Sequence, residues 1–191
     1  MKTRILFTVL FSSFAFISCK QETKVDETST EVQQEEIKEN PATFKVIFEV
    51  VAKKDDRFHL YFSEDGTINF PEEGSLWVDV KGNENSQEVV FEFEEDVIPT
   101  QLRIDFGTNR DQGQMEIKNF KMKYFDNIFE AKGNLFFDYF GPDVNTVTVD
   151  KTTSLITPIV KEGKNYVPPS FYPSEQALSA QIVKLTQTVV K

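Results

Sequence analysis

Apolar and polar residues alternate along most of the sequence after Thr43, with the period of two that a β-strand shows when one of its faces is buried. Residues 102–106 are the clearest case, because Leu, Ile and Phe occupy the even positions and Arg103 and Asp105 lie between them. Clusters of Gly, Asn, Asp and Pro separate such segments. The pattern predicts strands at residues 44–51, 58–62, 76–80, 89–93, 99–106 and 115–124.

Two local features refine this pattern. The pair Asp65-Gly66 is a strong signal for a tight hairpin, so a short return strand is predicted at 67–70. Around Asn119 the apolar and charged residues exchange faces. That exchange predicts either a β-bulge or a strand that switches between two sheets.

The alternation weakens after residue 125. Between residues 126 and 172 the apolar segments are interrupted by Gly and Pro, which predicts an irregular extension that covers the sheets. Short strands at 147–149 and 155–156 are an additional possibility within this extension. From Pro173 onward, apolar residues recur at helical spacing, and they are Leu178, Ile182, Leu185 and Val189. The apolar stripe of this helix is expected to dock on its own domain, with a partner helix as the alternative.

Roughly seven to nine short strands separated by turns predict an all-β fold: an antiparallel, jelly-roll-like β-sandwich with a C-terminal amphipathic helix. A doubly wound α/β fold is disfavoured because no helical segment alternates with the strands. The 191 residues suit one domain with appendages. We place the β-sandwich core at 43–125 and the irregular extension with the C-terminal helix at 126–191.

The first residues follow a different pattern, typical of a secretory signal peptide. Lys2 and Arg4 precede an apolar run at residues 5–17, which is shorter than the roughly 20 apolar residues of a membrane span. The run ends at Ser18, directly before Cys19, the only cysteine of the chain. This layout predicts a signal peptide at residues 1–18.

Residues 16–19, with the sequence Phe-Ile-Ser-Cys, resemble the lipobox of bacterial lipoproteins, although Phe16 stands where leucine is usual. The resemblance implies that the chain is cut before Cys19 and that Cys19 carries acyl chains such as palmitate. It also implies a lipid anchor in the outer membrane of a Gram-negative bacterium. Whether the protein faces the periplasm or the cell surface is left open.

Charge narrows the possible partners. Residues 20–42 contain seven acidic residues, three lysines and no aromatic residue, so we predict that 19–42 is a lipidated N-terminus followed by a disordered acidic linker. The net charge of -10 disfavours nucleic acid, which attracts basic surfaces. It equally disfavours electrostatic docking on anionic lipid. Membrane attachment would therefore depend on the acyl chains at Cys19, at about 0.8 kcal/mol per buried CH₂.

The inventory of reactive groups is poor for an enzyme. His59 is the only histidine and lies inside a predicted strand, where a structural role is expected. No Cys–His pair, HExxH motif, nucleophile elbow or phosphate-binding glycine loop occurs. A carboxylate-based hydrolase is a weaker alternative, but Glu92 and Glu94 alternate with phenylalanines and so belong to a solvated strand face. We therefore predict a non-catalytic protein.

A structural Ca²⁺ ion is the only cofactor that the sequence makes a candidate. Four aspartates provide the hard oxygen ligands that Ca²⁺ prefers, namely Asp55, Asp56, Asp65 and Asp105. They do not form an ordered ligand loop of the EF-hand kind. No metal site is assigned from them.

Residues 102–107, followed by a polar turn and the strand Met-Glu-Ile-Lys-Asn-Phe-Lys-Met at 115–122, resemble the late strands of carbohydrate-binding-module and galactose-binding-like jelly rolls. The resemblance covers residues 43–125 and implies a glycan-binding domain. Glycan recognition requires a flat aromatic ring together with polar groups that hold the hydroxyls. Trp77 and Tyr61 are the candidate rings.

Arg103 and Asp105 share one strand face, where they could form an ion pair or a fork that binds sugar hydroxyls. The strand pattern leaves open whether the face of Trp77 is buried. Together, the sequence predicts a membrane-anchored lipoprotein with a non-catalytic binding sandwich whose ligand is a glycan. The alternative is a structural or assembly subunit of a cell-envelope complex, which contacts an envelope protein through the C-terminal helix and the aromatic extension.

Overall fold

The structure is a computed structural model that describes residues 40 and 42–187. The predicted signal peptide, Cys19, nearly all of the acidic linker and Val189 lie outside the described residues. Within the described part, no helix combines the length and the apolar character that crossing a bilayer requires.

Eleven strands and two α-helices make up the described residues. The strands are β1 (Lys45–Val51), β2 (Asp56–Ser63), β3 (Leu76–Val80), β4 (Gln87–Glu92), β5 (Gln101–Asp105), β6 (Met115–Tyr124), β7 (Asn127–Lys132), β8 (Phe140–Pro142), β9 (Val147–Asp150), β10 (Leu155–Pro158) and β11 (Ser170–Pro173). The helices are α1 (Phe136–Tyr139), preceded by a 3₁₀ turn at Gly133–Leu135, and α2 (Glu175–Gln187).

The strands form two antiparallel sheets. The six-stranded sheet has the order β4-β1-β6-β10-β9, with β7 also paired to β6, and the five-stranded sheet has the order β3-β2-β5-β11-β8. The chain passes from one sheet to the other between β1 and β2, and again at each connection from β3 to β6. The predicted all-β antiparallel sandwich with a C-terminal helix is therefore confirmed.

Phenylalanines fill the space between the sheets. The rings of Phe48 on β1 and Phe106 just after β5 meet edge to face with centroids 5.3 Å apart. Phe62 on β2 and Phe93 just after β4 make a similar contact at 4.9 Å. Edge-to-face pairs of this kind contribute about 0.5–1.5 kcal/mol beyond their buried area. The period-two alternation in the sequence thus places the apolar residues of both sheets in one shared core.

Residues 126–172 were expected to be an irregular extension with short strands at 147–149 and 155–156; these two are confirmed as β9 and β10, and the segment also supplies β7, β8 and most of β11 to the sheets. Phe136, Phe140 and Phe171 from this segment are fully buried. Strands β8 to β11 have only three or four residues each, too few to show a clear alternation, and the Gly and Pro residues separate strands rather than ending the domain. The sandwich accordingly extends well past residue 125.

Helix α2 packs on its own domain. Leu178, Ile182 and Leu185 are buried, and the helix contacts β6, β7 and α1. The prediction that the apolar stripe docks on its own domain is therefore confirmed for its three described residues. The stripe is not available to a partner helix in this arrangement.

The two local predictions have opposite outcomes. The return strand expected at 67–70 was wrong, because the Asp65 carboxylate accepts hydrogen bonds from the Thr67 backbone N–H and hydroxyl and so forms a local turn instead of a hairpin. The bulge at Asn119 is confirmed. Glu49 pairs with Asn119 while Val50 pairs with Ile117, so one β6 residue has no partner on β1.

Candidate functional site

The residues that the sequence analysis proposed for ligand binding lie together on the outer face of the five-stranded sheet. On β2, Phe58 and Leu60 point into the core, so His59 and Tyr61 point outward. Strand register then places Trp77 opposite His59, and Arg103 opposite Tyr61. Trp77 is 38% exposed, so the face of β3 that carries it is the outer one, which the strand pattern had left undecided.

These side chains stack in a continuous row across the sheet. The rings of Trp77 and His59 are stacked with centroids 3.6 Å apart, and His59 and Tyr61 are 3.8 Å apart. The Arg103 guanidinium lies over the ring of Tyr61 at 4.6 Å and over that of Tyr172 at 4.8 Å. At the other end, Arg57 lies 4.9 Å from the centre of the Trp77 ring. We call this row the aromatic–arginine ladder; its members are Arg57, Trp77, His59, Tyr61, Arg103 and Tyr172.

His59 is the enclosed centre of the ladder. Only 2% of the residue is exposed, and burial lowers the pKa of its imidazole from 6.5 to about 4, although the nearby Glu72 carboxylate opposes the shift. Its Nε2 lies 2.6 Å from the Ser75 hydroxyl oxygen, and that hydroxyl donates to the Glu72 carbonyl. Nε2 must therefore be the donor, which fixes the tautomer of a neutral ring. This geometry agrees with the structural role expected for His59.

Glu72 also holds Tyr61 in place. The Tyr61 hydroxyl donates to the Glu72 carboxylate at 3.0 Å. Burial, together with this hydrogen bond, raises the pKa of the phenol to about 12. Tyr61 is thus a neutral ring at physiological pH, with its orientation set by the loop that precedes β3.

Arg103 and Asp105 form an ion pair, one of the two arrangements that the sequence allowed. Arg103 Nε and Nη2 donate to the two Asp105 carboxylate oxygens at 3.1 and 2.8 Å. The Asp105 side chain is almost completely buried, and this burial raises its pKa despite the opposing effect of Arg103. Two of the five guanidinium N–H donors are therefore committed to Asp105. The pair leaves this part of the ladder without net charge.

The outer face of the six-stranded sheet is different in character. Lysines and glutamates of different strands pair on it: Lys121 on β6 lies with its Nζ 2.8 Å from the Glu88 carboxylate on β4, and Lys45 Nζ on β1 lies 3.3 Å from the Glu92 carboxylate. Glu92 accepts a further hydrogen bond from the Thr43 hydroxyl. Glu92 is exposed on the outer face of its strand, as the alternation with the phenylalanines predicted.

The four aspartates considered for Ca²⁺ are bonded to protein donors at separate places. Asp55 binds the Gly82 N–H and Lys81, and Asp56 accepts hydrogen bonds from the loop after β5. Asp65 binds Thr67, while Asp105 binds Arg103. Across residues 40 and 42–187, no three His, Cys, Asp or Glu side chains come together in a way that could hold a metal ion. The four aspartates considered as candidate Ca²⁺ ligands therefore do not form a ligand set within the described part.

Sequence reasoning missed two parts of the surface. Arg57 and Tyr172 extend the ladder at its two ends. Tyr172 was missed because it lies in a four-residue strand within the segment expected to be irregular. A polar cleft of about 650 Å³ also went unpredicted, because it forms where β1 ends and β6 begins and includes the loop before β4. Its lining includes Val51, Lys53, Ser86, Gln114, Glu116 and Leu155.

In comparisons with known proteins, no family model matches the chain, and neither a curated protein nor a solved structure does.

Proposed function

We propose that the chain is an outer-membrane lipoprotein, anchored through Cys19, whose β-sandwich binds glycans without catalysis through the aromatic–arginine ladder. One observation carries the binding proposal. Trp77, Tyr61 and Tyr172, together with two arginines, lie on one outer sheet face, whereas the other sheet presents paired lysines and glutamates. Exposed aromatic rings with an apolar face are groups on which the C–H side of a sugar can stack.

The chemistry of the ladder suits a neutral, hydroxyl-rich ligand. Trp77 and Tyr172 are 38% and 39% exposed, so each offers apolar ring surface to the C–H groups of a sugar. The Arg103 charge is balanced by Asp105, so the centre of the face does not favour an anion. Guanidinium N–H groups that Asp105 does not use are suitable donors to hydroxyl oxygens.

A binding role is better supported than acid–base catalysis on this face. His59 is enclosed between Trp77 and Tyr61, and its pKa of about 4 keeps the imidazole neutral near pH 7. An acid–base catalyst works best when its pKa lies near the operating pH and its proton can reach the substrate. His59 meets neither condition.

The membrane part of the proposal is supported by the sequence of residues 1–19. Metabolic labelling with radioactive palmitate in a Gram-negative host tests it directly. The wild-type chain should incorporate label and fractionate with the outer membrane, whereas Cys19→Ser should remain unlabelled. An unlabelled wild-type chain would contradict lipid anchoring.

A glycan array probed with the mature protein tests the binding part. Trp77→Ala should weaken retention on the glycans that bind the wild type by tenfold or more, which corresponds to about 1.4 kcal/mol. Val90→Ala is the matched control, because Val90 is a comparably exposed strand residue, 40%, on the other sheet. The control should bind like the wild type. A wild-type protein that binds no glycan on the array would overturn the proposal.

A protein partner on the same face is the second candidate. Trp, Tyr and Arg are the residues most enriched at binding hot spots between proteins, and the ladder contains all three. The surfaces first considered for assembly fit less well, since Leu178 and Ile182 of α2 and Phe136 of the aromatic segment are buried in the domain's own core. An envelope protein that cross-links to position 77, in a wild type without glycan binding, would favour this alternative.

A further inference from the structure

The ladder ends at Tyr172, beside a position that has no side chain. Tyr172 on β11 pairs with Gly141 on β8. Directly opposed residues of antiparallel strands point to the same side of the sheet, so position 141 faces outward like Tyr172. A Cβ added at Gly141 would meet one atom within 4 Å, the Tyr172 carbonyl oxygen at 3.9 Å. The outer side of β8 is therefore open at this point.

The two sides of the Tyr172 ring are not equivalent. Strand β11 lies between β5 and β8, so Arg103 on β5 and Gly141 on β8 flank Tyr172 on opposite sides. The Arg103 guanidinium covers the ring from the β5 side at 4.8 Å. On the β8 side the register position belongs to glycine, and Tyr172 is 39% exposed. We call the space bounded by the Tyr172 ring and the backbone of Gly141 the Tyr172 notch.

The spacing of the sheet fits a stacked ring in this space. Neighbouring strands lie about 4.8 Å apart, so a group above β8 would be centred about one such step from the Tyr172 ring. Stacked ring pairs have centroids about 4.5–7 Å apart. A side chain at position 141 would enter that place, and its first atom would meet only the Tyr172 carbonyl oxygen within 4 Å.

We propose that the Tyr172 notch is a subsite for one neutral pyranose ring, which stacks on Tyr172 above the backbone of Gly141. This inference rests on the proposed glycan-binding function. A pyranose fits because its C–H face matches the apolar ring of Tyr172, while its hydroxyls point outward to solvent. A neutral sugar is favoured over an acidic one because Arg103 already carries the Asp105 carboxylate as its counter-ion.

Affinity electrophoresis of the mature protein tests the notch, in gels that contain a neutral polysaccharide (galactomannan, xylan or β-glucan) or the acidic polygalacturonate. Tyr172→Ala and Gly141→Leu should each weaken binding to the neutral polysaccharide by tenfold or more. Tyr172→Phe keeps the ring, and Gly141→Ala adds a single methyl group with an ordinary contact, so both should stay within about twofold of the wild type. Gly141 is not among the glycines with positive φ, so neither substitution places a side chain on a left-handed backbone.

The outcomes separate the notch from the general function. If Trp77→Ala abolishes retardation while Gly141→Leu and Tyr172→Ala bind like the wild type, the notch is overturned and the glycan-binding face stands. A wild type retarded only by polygalacturonate overturns the assignment to a neutral sugar. A wild type retarded by none of the gels overturns both proposals. Equal thermal unfolding midpoints for the four variants and the wild type establish that a loss of glycan binding comes from the notch and not from unfolding. If Gly141→Leu has a lower midpoint than the wild type, the comparison of Tyr172→Ala with Tyr172→Phe tests the notch instead.

Discussion

Protonation of His59 should occur about two and a half pH units lower in the folded protein than in the unfolded chain. The ring centroids of Trp77 and Tyr61 lie 3.6 Å and 3.8 Å from that of the His59 imidazole. A proton on the imidazole would therefore create a cation with little access to water. Burial is the main cause of the low pKa of about 4, and Glu72 opposes it only in part.

The magnitude follows from the two pKa values. One pKa unit corresponds to 1.36 kcal/mol, so a decrease from 6.5 to about 4 corresponds to roughly 3 kcal/mol. As the pH falls below 6.5, the unfolded chain binds a proton that the folded protein still excludes, and the free energy of unfolding decreases. This contribution of His59 is fully retained above pH 6.5. It is lost progressively until the pH reaches about 4.

NMR measures this pKa without ambiguity, because His59 is the only histidine in the chain and gives a single imidazole Cε1–H cross-peak. Its midpoint in a titration from pH 7.5 to 3.5 should lie near 4. Trp77→Ala opens one side of the imidazole and should move the midpoint toward 6.5, whereas Val90→Ala on the other sheet should leave it unchanged. A wild-type midpoint of 6 or higher would refute the enclosed ladder.

Two further predictions concern stability, measured by urea unfolding. Phe136→Ala should lower the free energy of unfolding by about 3–5 kcal/mol, because Phe136 is fully buried among core rings, whereas Leu135→Ala, at an exposed neighbour, should cost less than about 0.5 kcal/mol. Gly66 and Gly107 both have positive φ, so Ala at either position should lower the free energy of unfolding, by about 1 kcal/mol at Gly66. Gly107→Ala should lower it further, because only there would the new Cβ collide with Asp56. Similar costs within either pair would contradict the packing described.

The long strands were predictable because each has one buried face and enough residues to repeat the alternation. Residues 44–51 and 115–124 nearly coincide with β1 and β6. The short strands were not predictable in the same way. Strand β8 has three residues, and its pairing with β11 depends on a contact between segments about 30 residues apart. Such long-range pairing leaves little trace in a local pattern.

The candidate site was predictable residue by residue but not as an assembly. Alternation within single strands correctly placed Arg103 and Asp105 on one face, and it placed Trp77 opposite its apolar neighbours. The adjacency of Trp77 to His59 and of Tyr61 to Arg103 depends on strand register, which the turn lengths in this sequence do not specify. Tyr172 joins the site only because β11 pairs with β5.

The position of the bound glycan is the most direct test of the central claim, that the outer face of the five-stranded sheet is the recognition surface. The measurement is a two-dimensional NMR titration of the mature protein with a neutral oligosaccharide derived from the polysaccharide that retards it. The shifts should concentrate on β2, β3, β5, β8 and β11, and they should include the indole N–H of Trp77, the only tryptophan in the chain. Shifts confined to the polar cleft around Val51 and Glu116, with the indole signal unmoved, would contradict the account.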